Sequence, residues 1–88
     1  MPTVAVLRVL LDGQEQPAWG LAICRQAGLG SGTVYPILAR LQARGWAVSA
    51  VETGPHPGRP ARTYWALTDA GRVEATAALG KRRARLGA

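Results

Sequence analysis

Apolar positions between Pro2 and Leu11 run almost without a break, with Arg8 the main interruption. So continuous a run does not suit an exposed element and predicts a buried helix, closed by Asp12-Gly13. A helix apolar on every side needs cover on every side, more than a chain this short readily supplies. A partner subunit is therefore expected over Val6, Val9 and Leu10. After the polar "GQEQP", Pro17 suits the first position of a second helix running to Ala27, and Gly28 fits a left-handed cap with Leu29 folded back on Ile23 or Cys24. Gly20 inside that helix costs up to ~1 kcal/mol against alanine, which implies either a closely approaching backbone or a later helix start. Ser31 is placed to cap a third helix. Val34, Ile37, Leu38 and Leu41 then fall at i, i+3, i+4 and i+7, a single apolar stripe ended by Gly45.

Beyond Gly45 the period changes. "WAVSAVE" (46–52) and "RTYWALT" (62–68) alternate as strands, and the "TGPHPGRPA" between them, with three prolines and two glycines, is neither helix nor central strand. Thr68 is placed to cap a last helix with Asp69 in its first turn and Lys81, Arg82, Arg83 and Arg85 in its last, charges that suit the helix dipole. Ala75, Leu79 and Leu86 with Val73 and Ala77 give it a thin apolar seam. The order helix-helix-helix-strand-strand-helix, mainly α with a small β-hairpin, is that of a winged helix-turn-helix. Residues 1–67 are expected to form that DNA-binding domain, and 68–88 a C-terminal helix with a dimerising seam and a basic end.

Composition narrows the partners. The 88 residues suffice for one small core, and the net charge of +6 calls for a polyanion, nucleic acid before an acidic membrane surface. Ten of the eleven basic residues are arginine, the side chain that pairs bidentately with phosphate and guanine, although a GC-rich genome also favours it. The single cysteine, Cys24, excludes an internal disulfide and reads as a small buried hydrophobe. "VAVLRVLL" is too short to span a bilayer, no signal-peptide pattern follows, and the cytoplasm is the expected location. Five scattered carboxylates and one histidine supply no acid–base pair, no metal-ligand spacing and no phosphate loop, so neither an enzyme nor a cofactor is expected.

With its stripe on the core, the third helix turns Gly32, Thr33, Tyr35, Pro36, Ala39, Arg40, Ala43 and Arg44 away from it. Pro36 one turn in costs a helix roughly 3 kcal/mol, a poor choice for packing alone. Small Ser31, Gly32 and Thr33 with free N–H groups suit close approach to a phosphate or base edge. Pro36 leaves the Gly32 carbonyl without its donor, which is expected to re-aim the first turn and direct Tyr35. A mere kink with Tyr35 packed sideways is the alternative. Residues 16–51 hold three arginines and no acid, and neither Arg40 nor Arg44 has an acidic neighbour at i±4. Arg59 and Arg62, in and beside a loop stiffened by Pro57 and Pro60, are the candidate wing contacts. His56, alone in that loop, is expected to be exposed. Trp19, Trp46 and Trp65 read as core in a phenylalanine-free chain, or else as the walls of a pocket for a flat effector.

"SGTVYPILARLQARGW" resembles the third helix of the PadR family of bacterial transcriptional regulators, and "GRPARTYWALTDAG" resembles that family's wing and second strand. "AWGLAI" is similar to the family's Gly-Tyr start of the second helix, with Leu21 for the usual aromatic. The resemblance covers roughly residues 4–74. It implies a dimeric repressor-type protein binding double-stranded DNA, with Ser31, Thr33, Tyr35 and Arg40 of the third helix and Arg59 and Arg62 of the wing at the DNA. It also implies a longer carboxy-terminal region than the sequence holds after Thr68. Dimerisation is then left to the first and last helices, and a small-molecule effector is an open expectation. The alternative is a winged-helix protein-interaction module, or an antagonist heterodimerising with a longer relative.

Overall fold

A computed structural model describes the backbone of residues 2–13, 16–55 and 57–87, and side chains as far as Gly80. The elements are α1 (Pro2–Asp12), β1 (Ala18–Trp19), α2 (Gly20–Ala27), α3 (Ser31–Ala43), β2 (Ala47–Val51), β3 (Thr63–Leu67) and α4 (Asp69–Gly87). β3 lies between β1 and β2, antiparallel to both, with Ala18 opposite Trp65 and Ala47 opposite Leu67. The hairpin therefore gains a third strand, and the second helix starts at Gly20 rather than near Pro17. Two backbone hydrogen-bonding residues at 18–19 are claimed by β3 before the helix begins.

The expected stripe forms the floor of the molecule. Val34, Ile37, Leu38 and Leu41 of α3 are buried with Ile23 and Cys24 of α2, Trp65 and Leu67 of β3 and Ala75 of α4. Each large aliphatic side chain withdrawn from water there contributes about 1.5–3 kcal/mol. Two helix ends are closed by the same device. Gly28 is left-handed (φ 68°), with its N–H on the Arg25 carbonyl and that of Leu29 on the Cys24 carbonyl. Gly45 (φ 76°) repeats it with N–H groups from Gly45 and Trp46 on the carbonyls of Gln42 and Leu41.

Two further expectations are corrected and one is narrowed. Val6, Val9 and Leu10 are 0%, 7% and 2% exposed, because α1 packs against α2, α3, α4 and β3 of its own chain. They have no surface left for a second copy. In α4 the seam divides: Ala75 faces the core, while Val73 and Ala77 face solvent and Leu79 is half-buried; the side chain of Leu86 lies outside the described residues. α3, finally, is capped by Gly30, with the N–H groups of Thr33 and Val34 on its carbonyl, and Ser31 is the first helical residue. The Thr68 cap of α4 does form: its hydroxyl accepts the Gly71 N–H at 3.0 Å and donates to the Gly45 carbonyl at 2.7 Å. This ties α4 to the end of α3. Gly71 is needed there, since a Cβ would fall on the Trp46 carbonyl.

Candidate nucleic-acid interface

With its apolar stripe buried, α3 presents three parallel strips to solvent. Its outer ridge is Gly32, Pro36, Ala39 and Ala43, at i, i+4, i+7 and i+11, all exposed and all small or compact. The helix is unbroken through Pro36, whose ring can give no N–H to the Gly32 carbonyl. At the amino end the amides of Ser31 and Gly32 have no backbone acceptor, and the hydroxyls of Ser31 and Thr33 make no hydrogen bond, among the described residues.

One flank of the ridge meets the wing. Tyr35, 39% exposed, lines a groove of about 370 Å³ together with Trp19, Leu21 and residues Arg59 to Thr63. The third helix and both wing arginines therefore share one side of the molecule. The ring of Tyr35 lies against Gly20: a Cβ on that glycine would stand 2.5 Å from the hydroxyl. The neighbour that Gly20 accommodates is thus a side chain, not a backbone. Arg62 sits over the indole of Trp19, its guanidinium carbon 3.9 Å from the ring centroid, and its buried Nε has no acceptor among the described residues. Arg59 Nη1 donates to Glu52 Oε1 at 2.7 Å and to the Pro60 carbonyl at 3.2 Å. That hydrogen bond with Glu52 raises the Arg59 pKa above its ordinary value. Glu52 also closes the base of the wing, its N–H on the Arg62 carbonyl at 2.7 Å and its carboxylate accepting the Arg62 N–H at 3.4 Å. Nothing in the local pattern signals this pairing, because Arg59 follows Glu52 by seven positions with Pro55 and Pro57 between them.

On the other flank Arg40 and Arg44 border a smaller cleft of about 170 Å³ with Thr3, Ile37, Leu41 and Trp46. Arg44 sits 5.2 Å from the Trp46 ring centroid. Arg40 has no ion pair or ring contact among the described residues. Of the residues expected at the site, Tyr35, Arg59 and Arg62 are thus brought together. Ser31, Gly32 and Pro36 lie at the helix start and on the ridge, and Arg40 lies across the ridge from the wing. Two tryptophans, Trp46 and Trp65, belong to or pack on the core; Trp19 does neither. His56 lies outside the described residues.

Among the described residues no cluster of His, Cys, Asp and Glu could hold a metal ion, and no helix is long and apolar enough to cross a membrane. The structure is similar to a PadR-like transcription factor from Bacteroides fragilis (TM-score 0.75, 21% identity, covering 97% of this chain and 82% of that one). It is also similar to a PadR family transcription regulator from Clostridium difficile (TM-score 0.72, 22% identity, 91% and 86% covered). A third, the PcaV transcriptional regulator from Streptomyces coelicolor, solved with its natural ligand, matches with TM-score 0.71 and 30% identity over 98% of this chain but only 56% of its own. No curated protein sequence matches. All three of these neighbours are described as transcription factors or regulators. The model of the transcriptional regulator PadR-like family matches residues 6–77. With that match spanning most of its length, the chain belongs to the PadR-like family of transcriptional regulators, a DNA-binding family.

Proposed function

We propose that this chain is a sequence-specific, dimeric repressor of the cytoplasm that lays α3 in the major groove of a near-palindromic operator. The observation that carries this is the layout of α3: a ridge without one long side chain, with cationic or aromatic groups on both flanks. A major groove about 12 Å wide takes a helix about 10–12 Å across, and it does so closely only where the leading ridge is small. Ser31, Gly32, Thr33 and Pro36 then meet base edges or the nearest phosphate, with the open amides of the first turn as donors. Tyr35, Arg59 and Arg62 meet one wall of the groove, and Arg40 with Arg44 the other.

For the dimer, Val73 (67% exposed), Thr76 and Ala77 with Arg72 form an exposed strip on α4 suited to a second copy, leaving 1–67 as the DNA-binding part. Two recognition helices would then stand one DNA turn apart, ~34 Å. Selection of bound duplexes from a random pool, with sizing of the free protein, tests this. The expected result is a two-half-site duplex, affinity falling linearly on a log–log salt plot, and a dimer in solution. A protein that binds no duplex even at low salt, but pairs with a longer relative, would instead be an antagonist.

A further inference from the structure

The geometry points to Trp19 and Gly20 as a positioning pair: this dipeptide, where β1 passes into α2, sets the direction of one side chain on α3 and of one in the wing. The inference rests on the DNA-binding function proposed above for what those side chains do, and adds what holds them in place. Trp19 is half-buried yet is neither part of the hydrophobic core nor packed on it. Its ring instead receives the Arg62 guanidinium at 3.9 Å. Arg62 makes no ion pair among the described residues and its buried Nε has no acceptor there, so the contact that holds its guanidinium is the indole face. The backbone on both sides is fixed. Trp19 pairs with Tyr64 in the sheet, and the amide and carbonyl of Arg62 both bond to Glu52.

The next residue does for Tyr35 what Trp19 does for Arg62. The space a Cβ would take on Gly20 is filled by the end of the Tyr35 ring, its hydroxyl at 2.5 Å and Cε1 at 2.9 Å. The atoms met are the far end of a partly exposed side chain rather than backbone, so a side chain on residue 20 displaces Tyr35 and leaves α2 in place. Tyr35 and Arg62 come from separate elements and line one groove; both take their position from adjacent residues of one short strand and helix start. β1 has only two residues. It adds little sheet, and its effect is to bring Trp19 under the wing.

The test uses Trp19→Leu, Trp19→Phe, Gly20→Ala, Tyr35→Ala and Arg62→Ala in the full chain. In the free protein, NMR should show the Arg62 side-chain protons moved upfield by the indole ring current. Trp19→Leu should abolish that shift, and Trp19→Phe should keep part of it. On DNA the readout is the affinity ratio between a duplex selected by the unaltered protein and a random-sequence duplex of equal length. Trp19→Leu should lower that ratio roughly tenfold, as expected for a well-seated cation–π pair, with random-duplex affinity unchanged and Trp19→Phe in between. Arg62→Ala should lower it equally and remove any further effect of Trp19→Leu. Gly20→Ala should lower it in the native background and leave it unchanged beside Tyr35→Ala. Unshifted Arg62 protons, or a ratio indifferent to Trp19→Leu, would overturn the pair. So would a Gly20→Ala penalty that persists without Tyr35. A ring-current shift lost in Trp19→Leu, in a protein that binds no duplex, would support the positioning pair and refute the DNA-binding function alone.

Discussion

On the wing side of α3 every aromatic or cationic group leans on another part of the chain: Tyr35 on Gly20, Arg62 on Trp19, Arg59 on Glu52. Across the ridge, Arg40 leans on nothing among the described residues, and Arg44 rests loosely beside Trp46. The difference follows from what lies beneath each flank. Arg40 and Arg44 ride on a helix already fixed by four buried aliphatic side chains. The wing has no core under it, so its direction must come from local pairing. A side chain fixed before binding loses little entropy on docking and selects geometry; an unpaired arginine on a rigid helix supplies charge and little selection. The wing flank is therefore suited to discriminating between sequences, and the far flank to general attraction.

The largest effect should come from removing the floor shared by both flanks. Leu38 is fully buried, and Leu38→Ala should cost about 2–5 kcal/mol of stability in denaturant unfolding, with both flanks lost together. Next, Arg40→Ala should weaken binding evenly across duplex sequences and reduce the salt slope by about 1. Arg59→Ala should change that slope less, because Glu52 already neutralises part of its charge. A larger slope change at Arg59 than at Arg40 would break the comparison. A smaller shift is expected from Glu52→Gln. Exposed pairs of this kind are worth about 0.2–1 kcal/mol, so freeing Arg59 should raise random-duplex affinity a few-fold and steepen its salt dependence, while the affinity ratio falls. The smallest is Ser31→Ala. Gly30 is the cap of α3, so thermal stability should stay within about 0.5 kcal/mol while duplex affinity declines.

Most of the frame was legible in the sequence because it rests on local patterns. The stripe at Val34, Ile37, Leu38 and Leu41, the caps at Gly28, Gly45 and Thr68, and the strands at 47–51 and 63–67 each follow from spacing or from a residue's backbone freedom. What escaped depends on partners distant in sequence. Two residues carry no period, so β1 is defined only by Trp65 and Tyr64 across the sheet. The apolar run at Val6, Val9 and Leu10 demands cover, but whether that cover is α4 or a second copy is decided by where α4 docks. Gly30 and Ser31 are both acceptable caps, and the first turn's geometry picks the glycine. At the candidate site, residue type alone singles out Tyr35 and the wing arginines, which the fold brings to one groove. Their supports, Trp19, Gly20 and Glu52, were not, since each acts on a neighbour from another element.

The most direct test of α3 seated between two walls is an NMR titration of the protein with its selected duplex, following backbone amides. α1 and α2 border a separate groove lined by Val4, Arg8 and Gln26; concerted shifts at 31–35, 40–44 and 59–63, with this α1–α2 groove unmoved, are the expected result. Shifts confined to one flank, or centred on the α1–α2 groove, would contradict it.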